Sequence, residues 1–306
     1  MEEIIVSVLV LAFNHERYIE ECLESLVKQR TSFPFEVLIH DDASTDKTPA
    51  IIKEYCTKYP DIIIPVFQTI NQYSQGIRID KVFLYPKARG KYIAICEGDD
   101  YWIDPLKLQK QVDAMENHPE IDMCAHAASI VKDGKITGTL AAAQEERVFD
   151  TGDVIRGGGG MFATNSLLYR KSMLELEPRF IQYYSFDYTM QIWGSLRGGV
   201  LYLPDNMSAY RVMVSGSWSS LMQKNRNAKI CHLKRLEIAE SIMLGEIDIK
   251  FRQILENRMR ELHILISQWE GNFHELRKQE YRTIIKRYTF VAKLKLYFKC
   301  IYNKLI

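Results

Sequence analysis

The chain has 306 residues, a formal net charge of +1 and the hydrophobic and charged fractions of an ordinary globular protein. This length predicts one large domain with a smaller appendage, and the balanced charge gives no nucleic-acid-binding signature. No window contains the run of about 18 apolar residues that a membrane span needs, and the acidic start at Glu2 and Glu3 is unlike a secretory signal. We therefore expect a cytoplasmic protein.

The six cysteines and seven histidines show no metal-binding spacing. No two cysteines form a C-x-x-C pattern, and no H-x-x-x-H pattern occurs. Cys22, Cys56 and Cys96 fall among apolar residues, which favours buried free thiols over a redox or zinc role. We expect no zinc site.

The first half of the chain alternates strand-like and helix-like stretches. Residues 4–11 (IIVSVLVL) form a continuous apolar run, which predicts a strand buried on both faces. Asn14 is the predicted N-cap of the next helix, which carries one apolar stripe. Residues 36–40 predict a second strand, which ends at Asp41 and Asp42.

The same alternation continues to about residue 117. Thr48 is a predicted N-cap, and Pro49 follows it at the first helical position. Further strands are predicted at residues 62–67 and 92–96, and a further helix at residues 105–117. Repeated β-α-β units predict an α/β fold with a mostly parallel sheet covered by helices on both faces.

Acidic residues follow two of the predicted strands. Asp41 and Asp42 end the second strand, and residues 97–100 (EGDD) end the fourth. Both clusters are expected at the edge of the sheet where ligands bind, beyond the carboxyl ends of the strands. Carboxylates gathered there repel one another unless a cation or a donor satisfies them, and Mg²⁺ and Mn²⁺ prefer such oxygens together with phosphate. A solvated acidic turn that caps the following helix is an equally good interpretation of the residues alone.

The pattern becomes less regular after about residue 120. Residues 123–131 and 166–169 predict strands, the glycine run 157–160 is expected to be irregular, and the chain reads as helical from residue 221. No G-x-G-x-x-G follows the first strand, and no Gly-Lys-Ser/Thr follows the glycine run. A dinucleotide-binding fingerprint and a P-loop are therefore excluded.

Four ordered segments resemble the family-2 glycosyltransferases, which have the GT-A fold. They are VSVLVLAFN at 6–14, EVLIHDDASTDKT at 36–48, ARGKYIAICEGDDYW at 88–102 and PLKLQKQV at 105–112. The third segment is similar to the region that carries the D-x-D motif of the family. The resemblance is close over about residues 4–117 and continues weakly to about residue 220.

The resemblance implies a nucleotide site. Asp42 aligns with the carboxylate that accepts an N–H of the base, typically uracil, and Phe13 aligns with the aromatic that stacks on the base; core packing is the alternative for Phe13. Asn14 and Gly98 join the implied nucleotide-binding set, and Arg78 is a candidate contact for the diphosphate or base, or else a surface arginine. A UDP-sugar is the favoured donor.

The resemblance also implies a divalent cation, Mn²⁺ or Mg²⁺. Asp99 aligns with the metal-binding aspartate, and Asp100 is expected to assist it or to orient the loop. Glu97 stands where the family usually has aspartate, so its contact to ribose or metal is direct or through water. Leu11 and Ala12 replace the usual Pro-Thr and remove one hydroxyl that could reach the base.

Asp187 is the implied general base, in a region where the family has an acidic motif. Here a lone aspartate follows Phe186, so the match is partial, and an N-cap for the helix at residues 188–196 is the compatible alternative. Residues 157–165 align with the loop that covers the acceptor. Residues 210–219 resemble a later loop in which the family has a histidine, but Met213 stands there, so no ligand is expected.

Residues 281–306 contain seven lysines and arginines and no acid. On a helical projection one apolar stripe is expected, with lysines away from it, and it comprises Leu294, Tyr297, Phe298, Ile301 and Leu305. This pattern predicts either an interfacial helix that contacts the inner membrane surface or a helix packed on the catalytic domain or on a homodimer partner.

These features together predict an inverting glycosyltransferase acting on a glycan or lipid-linked acceptor in surface polysaccharide synthesis. The expected domains are a catalytic domain at 1–220, with a nucleotide-binding half at 1–117 and an acceptor-binding half at 118–220, and a helical extension at 221–306. A sugar-phosphate nucleotidyltransferase and a non-catalytic nucleotide-sugar binding protein remain the alternatives.

Overall fold

A computed structural model describes residues 3–214, 218–272 and 274–305 of the chain. The chain divides into two compact units, of which the first comprises Met1–Glu177 and Met190–Val214. The second comprises Pro178–Thr189 and Ser215–Ile306. Each unit has a hydrophobic core of its own.

The first unit contains all the strands that the structure describes. They are β1 (Val6–Ala12), β2 (Phe35–Asp41), β3 (Ile63–Phe67), β4 (Tyr92–Ile95), β5 (Tyr101–Trp102), β6 (Met123–Lys132), β7 (Lys135–Leu140), β8 (Arg147–Phe149), β9 (Leu168–Arg170) and β10 (Val200–Arg211). The helices up to residue 195 are α1 (Ile19–Val27), α2 (Thr48–Lys58), α3 (Lys107–Glu116), α4 (Thr151–Gly157), α5 (Arg179–Tyr183) and α6 (Asp187–Ser195).

The strands form one sheet in the order β3-β2-β1-β4-β9-β6-β10-β5, with β7 beside β6 and β8 beside β10. The predicted parallel arrangement is confirmed for β3, β2, β1 and β4. Beyond β4 the sheet is mixed, because β9 runs antiparallel to both β4 and β6, whereas β6 and β10 are parallel. The change of direction occurs beside β4, whose end carries the second acidic cluster.

The central strands are buried on both faces, as their continuous apolar sequences predict. Val6, Val8 and Val10 are fully buried on one face of β1, and Ser7 and Leu9 are buried on the other. The three valines belong to the same core cluster as the apolar stripe of the first helix. That stripe consists of Ile19, Cys22, Leu23 and Leu26. Burial of Ile19, Leu23 and Leu26 stabilises the fold by roughly 1.5–3 kcal/mol for each side chain.

Two predicted helix caps are wrong. Asn14 does not cap α1, because the helix begins at Ile19 and Asn14 has a left-handed φ of 54°. Its side-chain oxygen instead accepts hydrogen bonds from the backbone and hydroxyl of Thr45. Thr48 is the first residue of α2 rather than its cap, and its hydroxyl accepts a hydrogen bond from the backbone of His15. Both side chains bind across to a neighbouring loop, which the local sequence does not reveal.

The glycine run is more regular than its sequence suggests. Gly157 ends α4, and residues 158–160 form one turn of 3₁₀ helix. The φ of 67° at Gly158 explains the choice of glycine at the junction of the two helices.

The second unit is helical, as predicted from residue 221 onward. After residue 217 its α-helices are α7 (Trp218–Lys224), α8 (Arg226–Met243), α9 (Arg252–Glu270), α10 (Gln279–Lys286) and α11 (Phe290–Leu305). Its core joins α9 to α10 and α11 through Ile264, Tyr281, Ile285, Leu296 and Cys300. Within the described residues, no helix combines the length and apolarity that crossing a membrane requires.

Candidate nucleotide-sugar site

The two acidic clusters flank the carboxyl end of β1. The amide of Asp42 donates to the carbonyl of Ala12 at 2.9 Å on one side, and the amide of Gly98 donates to the carbonyl of Leu11 at 2.8 Å on the other. Because β1 lies between β2 and β4, the two clusters are separated by one strand, or about 10 Å. They therefore lie at one edge of the sheet, as predicted.

Asp42 anchors a loop at this edge. Its carboxylate is buried and accepts hydrogen bonds from the amides of Gln72 at 2.7 Å and Tyr73 at 3.0 Å. The side chain of Asn71 donates to the backbone carbonyl of Asp42 at 3.1 Å. A carboxylate has about four lone-pair positions, so these two hydrogen bonds leave about two of them on Asp42. Phe13, which follows the end of β1, exposes 45% of its surface.

The residues after Phe13 are tied to the loop after β2 by a series of hydrogen bonds. The Asn14 amide donates to Ser44 Oγ at 2.8 Å, and its side chain accepts from the Thr45 amide at 2.8 Å. The Glu16 amide donates to the carboxylate of Asp46 at 3.0 Å. Asn is among the residues best suited to a left-handed φ, so its presence at position 14 suits this loop rather than a helix cap.

His15 lies against the glycine of the second cluster. A Cβ added at Gly98 would stand 2.7 Å from His15 Nδ1 and 3.0 Å from the Leu11 carbonyl, so no larger residue fits without displacement. Burial lowers the pKa of His15, while the carboxylates of Asp99, Asp46 and Asp41 act in the opposite direction. The His15 imidazole therefore lies among acidic groups from both clusters.

Asp99 and Asp100 have different environments although they are neighbours. The Asp100 carboxylate is 1% exposed and accepts hydrogen bonds from Asn165 Nδ2 at 3.0 Å and from the amide of Arg211 at 2.7 Å. In the described part of the chain, we find no hydrogen bond to the Asp99 carboxylate. The guanidinium of Arg211 instead donates to the Asp99 backbone carbonyl at 2.6 Å. The protein thus satisfies the Asp100 carboxylate, whereas it contacts Asp99 through the backbone carbonyl.

The electrostatics of this loop suit a cation. Burial raises the pKa of Asp100 well above its ordinary value, and the charges of Asp99 and Glu97 raise it further. The described residues contain no group of three or more histidine, cysteine or acidic side chains that could hold a metal by themselves. Mg²⁺ and Mn²⁺ bound to nucleotides commonly take only one or two carboxylates, together with phosphate oxygens and water. The Asp99 carboxylate fits that donor set.

A polar network beneath the loop fixes its position. Asn165 is fully buried; its Nδ2 also donates to the Ala209 carbonyl at 2.9 Å, and its Oδ1 accepts from Ser208 Oγ at 2.7 Å. The backbone carbonyl of Asn165 accepts from Trp102 Nε1 at 3.1 Å. Asn165 thereby links the acidic loop to β5 and β10, and all of its side-chain polar groups that approach these strands are satisfied.

Lys107 is a buried cation under the same loop. Its ammonium lies 3.9 Å from the centroid of the Trp102 ring and donates to Gln111 Oε1 at 2.7 Å. Burial lowers the pKa of Lys107 to about 7. The first turn of α3 therefore places an ionisable group directly behind the aromatic residue that supports the acidic loop.

Arg78 belongs to an ion-pair cluster. Its guanidinium pairs with Glu177 and with Asp80, and Glu177 also pairs with Lys81. The charge of Arg78 is therefore already neutralised by two carboxylates. A contact from Arg78 to a diphosphate, which the resemblance suggests, stays a prediction and requires the diphosphate to compete with them.

Asp187 begins α6 and belongs to the second unit. The Thr189 hydroxyl accepts from the Phe186 amide at 2.8 Å and donates to the Tyr184 carbonyl at 2.9 Å, which fixes the entry into the helix. Tyr184 and Phe186 stack at 5.9 Å between ring centroids, and Phe186 meets the ring of His232 edge-on at 4.7 Å. Asp187 therefore lies next to a packed aromatic cluster, and its role as a base stays a prediction.

Residues 7–212 match the profile of Glycosyl transferase family 2. The chain belongs to this family. An uncharacterized protein of Mycobacterium tuberculosis is 34% identical over 225 residues, which cover 72% of this chain and 62% of that protein. The chain thus matches about three fifths of the length of that relative.

Solved structures show the same fold. S. aureus TarS 1-349, in complex with UDP-GlcNAc, is 18% identical and superimposes with a TM-score of 0.67, covering 96% of this chain and 89% of that one. The mannosyltransferase PcManGT of Pyrobaculum calidifontis, in complex with GDP-Man and Mn²⁺, is 16% identical and gives a TM-score of 0.55, covering 98% and 86%. This family-2 protein therefore has the GT-A fold with a C-terminal helical region.

Several residues that build the site could not be identified from local sequence. Asn165 and Arg211 donate to Asp100 from 65 and 111 residues away along the chain, and Ser208 donates to Asn165. The only local signal was the arginine in the Tyr210–Arg211 pair, which resembled a later loop of the family without indicating its partner. His15 carried no signal of its own, because a lone histidine at the start of a helical pattern is usually structural.

Proposed function

We propose that this family-2 protein transfers a sugar, with inversion, from a nucleotide-diphosphate donor to a hydroxyl of a glycan or lipid-linked oligosaccharide. The observation that carries the proposal is the placement of Asp42 and of Asp99 on either side of the end of β1. A base-recognition group and a cation-binding carboxylate about one strand apart would suit the two ends of a nucleoside diphosphate.

The nucleotide would lie across the strand ends, with a UDP-sugar as the favoured donor. Phe13 is exposed and could stack on the base, a contact worth about 1–3 kcal/mol. Asp42 would accept an N–H of the base with its remaining lone pairs, and Asn14 and Gly98 keep the backbone close to the nucleotide. TarS with UDP-GlcNAc and PcManGT with GDP-Man support a nucleotide-sugar donor without deciding the base.

Asp99 would hold the divalent cation, Mn²⁺ or Mg²⁺, and Glu97 would assist directly or through water. When bound, such an ion would supply positive charge that stabilises the leaving diphosphate. Asp100, Asn165 and Arg211 would keep the Asp99 backbone in place, because their hydrogen bonds fix the loop on both sides. The Mn²⁺ bound by PcManGT supports this assignment.

Asp187 is the proposed general base. A sugar hydroxyl has a high pKa, so a carboxylate that takes its proton in the transition state contributes roughly 10² to 10⁴ in rate. The hydroxyl oxygen then forms the new bond to the anomeric carbon while the bond to the diphosphate breaks on the opposite face. The acceptor-binding half proposed at 118–220 would contain this residue, and 221–306 would form the helical extension.

Asp187→Asn tests the proposal and separates the base from the alternative helix cap. Asparagine caps helices as well as aspartate does, so the melting temperature should stay unchanged. Donor affinity, measured by calorimetry with a UDP-sugar and Mn²⁺, should also be kept. The rate of sugar transfer should fall by roughly 10² to 10⁴ because the base is lost.

The same experiment can contradict the proposal. Transfer by Asp187→Asn at nearly the wild-type rate would remove Asp187 from the mechanism. Donor binding by the wild-type protein, without transfer or hydrolysis for any acceptor tested, would favour a non-catalytic nucleotide-sugar binding protein. Release of pyrophosphate from a nucleoside triphosphate and a sugar phosphate would favour a nucleotidyltransferase.

We also propose that the protein acts in the cytoplasm at the inner face of the cell membrane, where a lipid-linked acceptor would be available. The basic segment 281–306 would supply the contact. A homodimer formed through the same segment is the competing arrangement.

A further inference from the structure

The last helix of the chain has two apolar faces. One face packs on the rest of the second unit through Leu296, Cys300 and Asn303. Cys300 is fully buried, and the Asn303 side chain donates to the Gln268 carbonyl at 2.9 Å. The close approach is fixed by Gly271 at the end of α9, where an added Cβ would stand 2.6 Å from the Lys304 amide. The contacts of this packed face therefore hold α11 in place, and the other apolar face is not needed for its position.

That other face, here called the outer face, is exposed. It consists of Phe290, Val291, Leu294, Phe298, Ile301 and Tyr302. Phe290 is 75% exposed and Phe298 is 68% exposed, whereas Leu296 on the opposite side is 5% exposed. The predicted stripe was thus correct for Leu294, Phe298 and Ile301, while Tyr297 packs partly against the core and the Leu305 side chain lies outside the described residues.

Lysines border the outer face on both sides. At about 100° per residue, Lys295 and Lys299 follow one edge of the face, and Lys293 and Lys304 follow the other. The segment 281–306 contains no aspartate or glutamate, in a chain whose net charge is only +1. The ring of Phe298 and the side chains of Lys295 and Lys299 also line one shallow groove on this surface.

We infer that the outer face of α11 binds the surface of an anionic lipid bilayer. Its aromatic and aliphatic side chains would enter the boundary between headgroups and acyl chains, while the lysines on both edges would meet lipid phosphates. A second copy of the chain presents the same lysines, so two outer faces would bring like charges together along both edges. The charge pattern therefore favours an acidic membrane over a homodimer.

This inference rests on the proposed membrane location and not on the donor chemistry. The test is sedimentation of the full-length protein with phosphatidylcholine vesicles, with and without about 30% phosphatidylglycerol. Wild-type protein should sediment only with the anionic vesicles, and higher salt should weaken binding because it screens the lysines. Phe290→Ser with Phe298→Ser should bind about tenfold more weakly, and Lys295→Glu should also weaken binding.

Leu176→Ser with Ile249→Ser is the matched control, because these side chains are 85% and 75% exposed but lie outside α11. Its vesicle binding should equal that of the wild type. Equal binding by the outer-face variant and the control would overturn the inference, as would a wild-type protein that ignores anionic vesicles.

Sedimentation equilibrium distinguishes the other occupant. A wild-type dimer that the outer-face variant converts to monomer, without vesicle binding, would assign the face to a second copy and overturn the inference. Calorimetric titration of both variants with a UDP-sugar and Mn²⁺ runs in parallel. A wild-type protein that binds the donor but not the vesicles would reject the membrane contact alone, whereas absent donor affinity in the wild type would reject the proposed function.

Discussion

The end of β1 and the outer face of α11 place side chains in opposite kinds of unfavourable environment. At the end of β1 carboxylates are buried, as for Asp42 and Asp100, and the protein supplies fixed donors to each of them. On α11 aromatic side chains such as Phe298 are exposed to water. A buried charge must be satisfied inside the fold, whereas an exposed apolar face costs the fold little and is available to a partner. The two regions should therefore respond differently to substitution.

Asn165→Ala should have the largest effect on stability. It removes a donor from the buried Asp100 carboxylate and leaves Ser208 without its acceptor. Because several buried polar groups lose a hydrogen-bond partner together, the free energy of unfolding should fall by about 3 kcal/mol in urea denaturation. Asn257→Ala on the exposed surface of α9 is the control and should change it by less than about 0.5 kcal/mol. Equal small losses would show that the network does not support the loop.

Lys107 should give the site a pH-dependent stability. Its pKa is lowered to about 7 in the folded chain, so between pH 7 and pH 9 the unfolded chain binds more protons and stability rises with pH. The gain should be about 2 kcal/mol over that range. Lys107→Met keeps the apolar stem and should abolish this slope, which urea denaturation at several pH values would measure. Parallel slopes for both proteins would show that Lys107 keeps its charge in the fold.

Gly98→Ala should weaken donor binding with little effect on the rest of the fold. The new Cβ would press on His15 Nδ1 and on the Leu11 carbonyl, and the acidic loop must shift to accommodate it. The affinity for a UDP-sugar with Mn²⁺ should fall about tenfold by calorimetry, which corresponds to about 1.4 kcal/mol. Gly138→Ala in β7, where an added Cβ meets nothing within 4 Å, should bind the donor like the wild type. Wild-type affinity in both variants would show that Gly98 is not needed for the site.

Phe298→Ala should have the smallest effect on stability, although it removes a much larger side chain than Asn165→Ala does. Because the ring is 68% exposed, the free energy of unfolding should change by less than about 0.5 kcal/mol. A loss above about 2 kcal/mol would mean that the outer face is covered in solution, as in a dimer. That result would contradict the proposed difference between the end of β1 and the outer face of α11.

The sequence was sufficient to predict the part of the fold whose signals are local. The β-branched run of β1 and the carboxylates after β2 and β4 were enough to place Asp42 and Gly98 at one edge, because parallel strands end together. The β-α-β alternation ends near residue 117, and beyond that point the sequence predicted fewer of the strands and helices. The antiparallel insertion of β9 between β4 and β6 had no local signature.

Local sequence could not identify side chains that contact each other although they are far apart along the chain. Asn165 reads as part of a loop, yet its side chain is fully buried against Asp100. Arg78 reads as a free cation, yet Glu177, 99 residues away, pairs with it. The sequence around Asn14 predicts a helix cap, but asparagine is common both at caps and at left-handed φ. Only the position of Thr45, which donates to Asn14, decides between the two. Packing against distant segments determines each of these outcomes.

Calorimetric titration of a UDP-sugar into the protein, with and without Mn²⁺, tests the central claim most directly. The wild type should bind the donor with Mn²⁺ and at least about tenfold more weakly without it. Asp99→Asn should lose this metal dependence. Asp133→Asn, at an exposed turn where asparagine tolerates the φ of 51°, should keep it. Full metal-dependent binding by Asp99→Asn, or no binding by the wild type with either Mn²⁺ or Mg²⁺, would contradict the account.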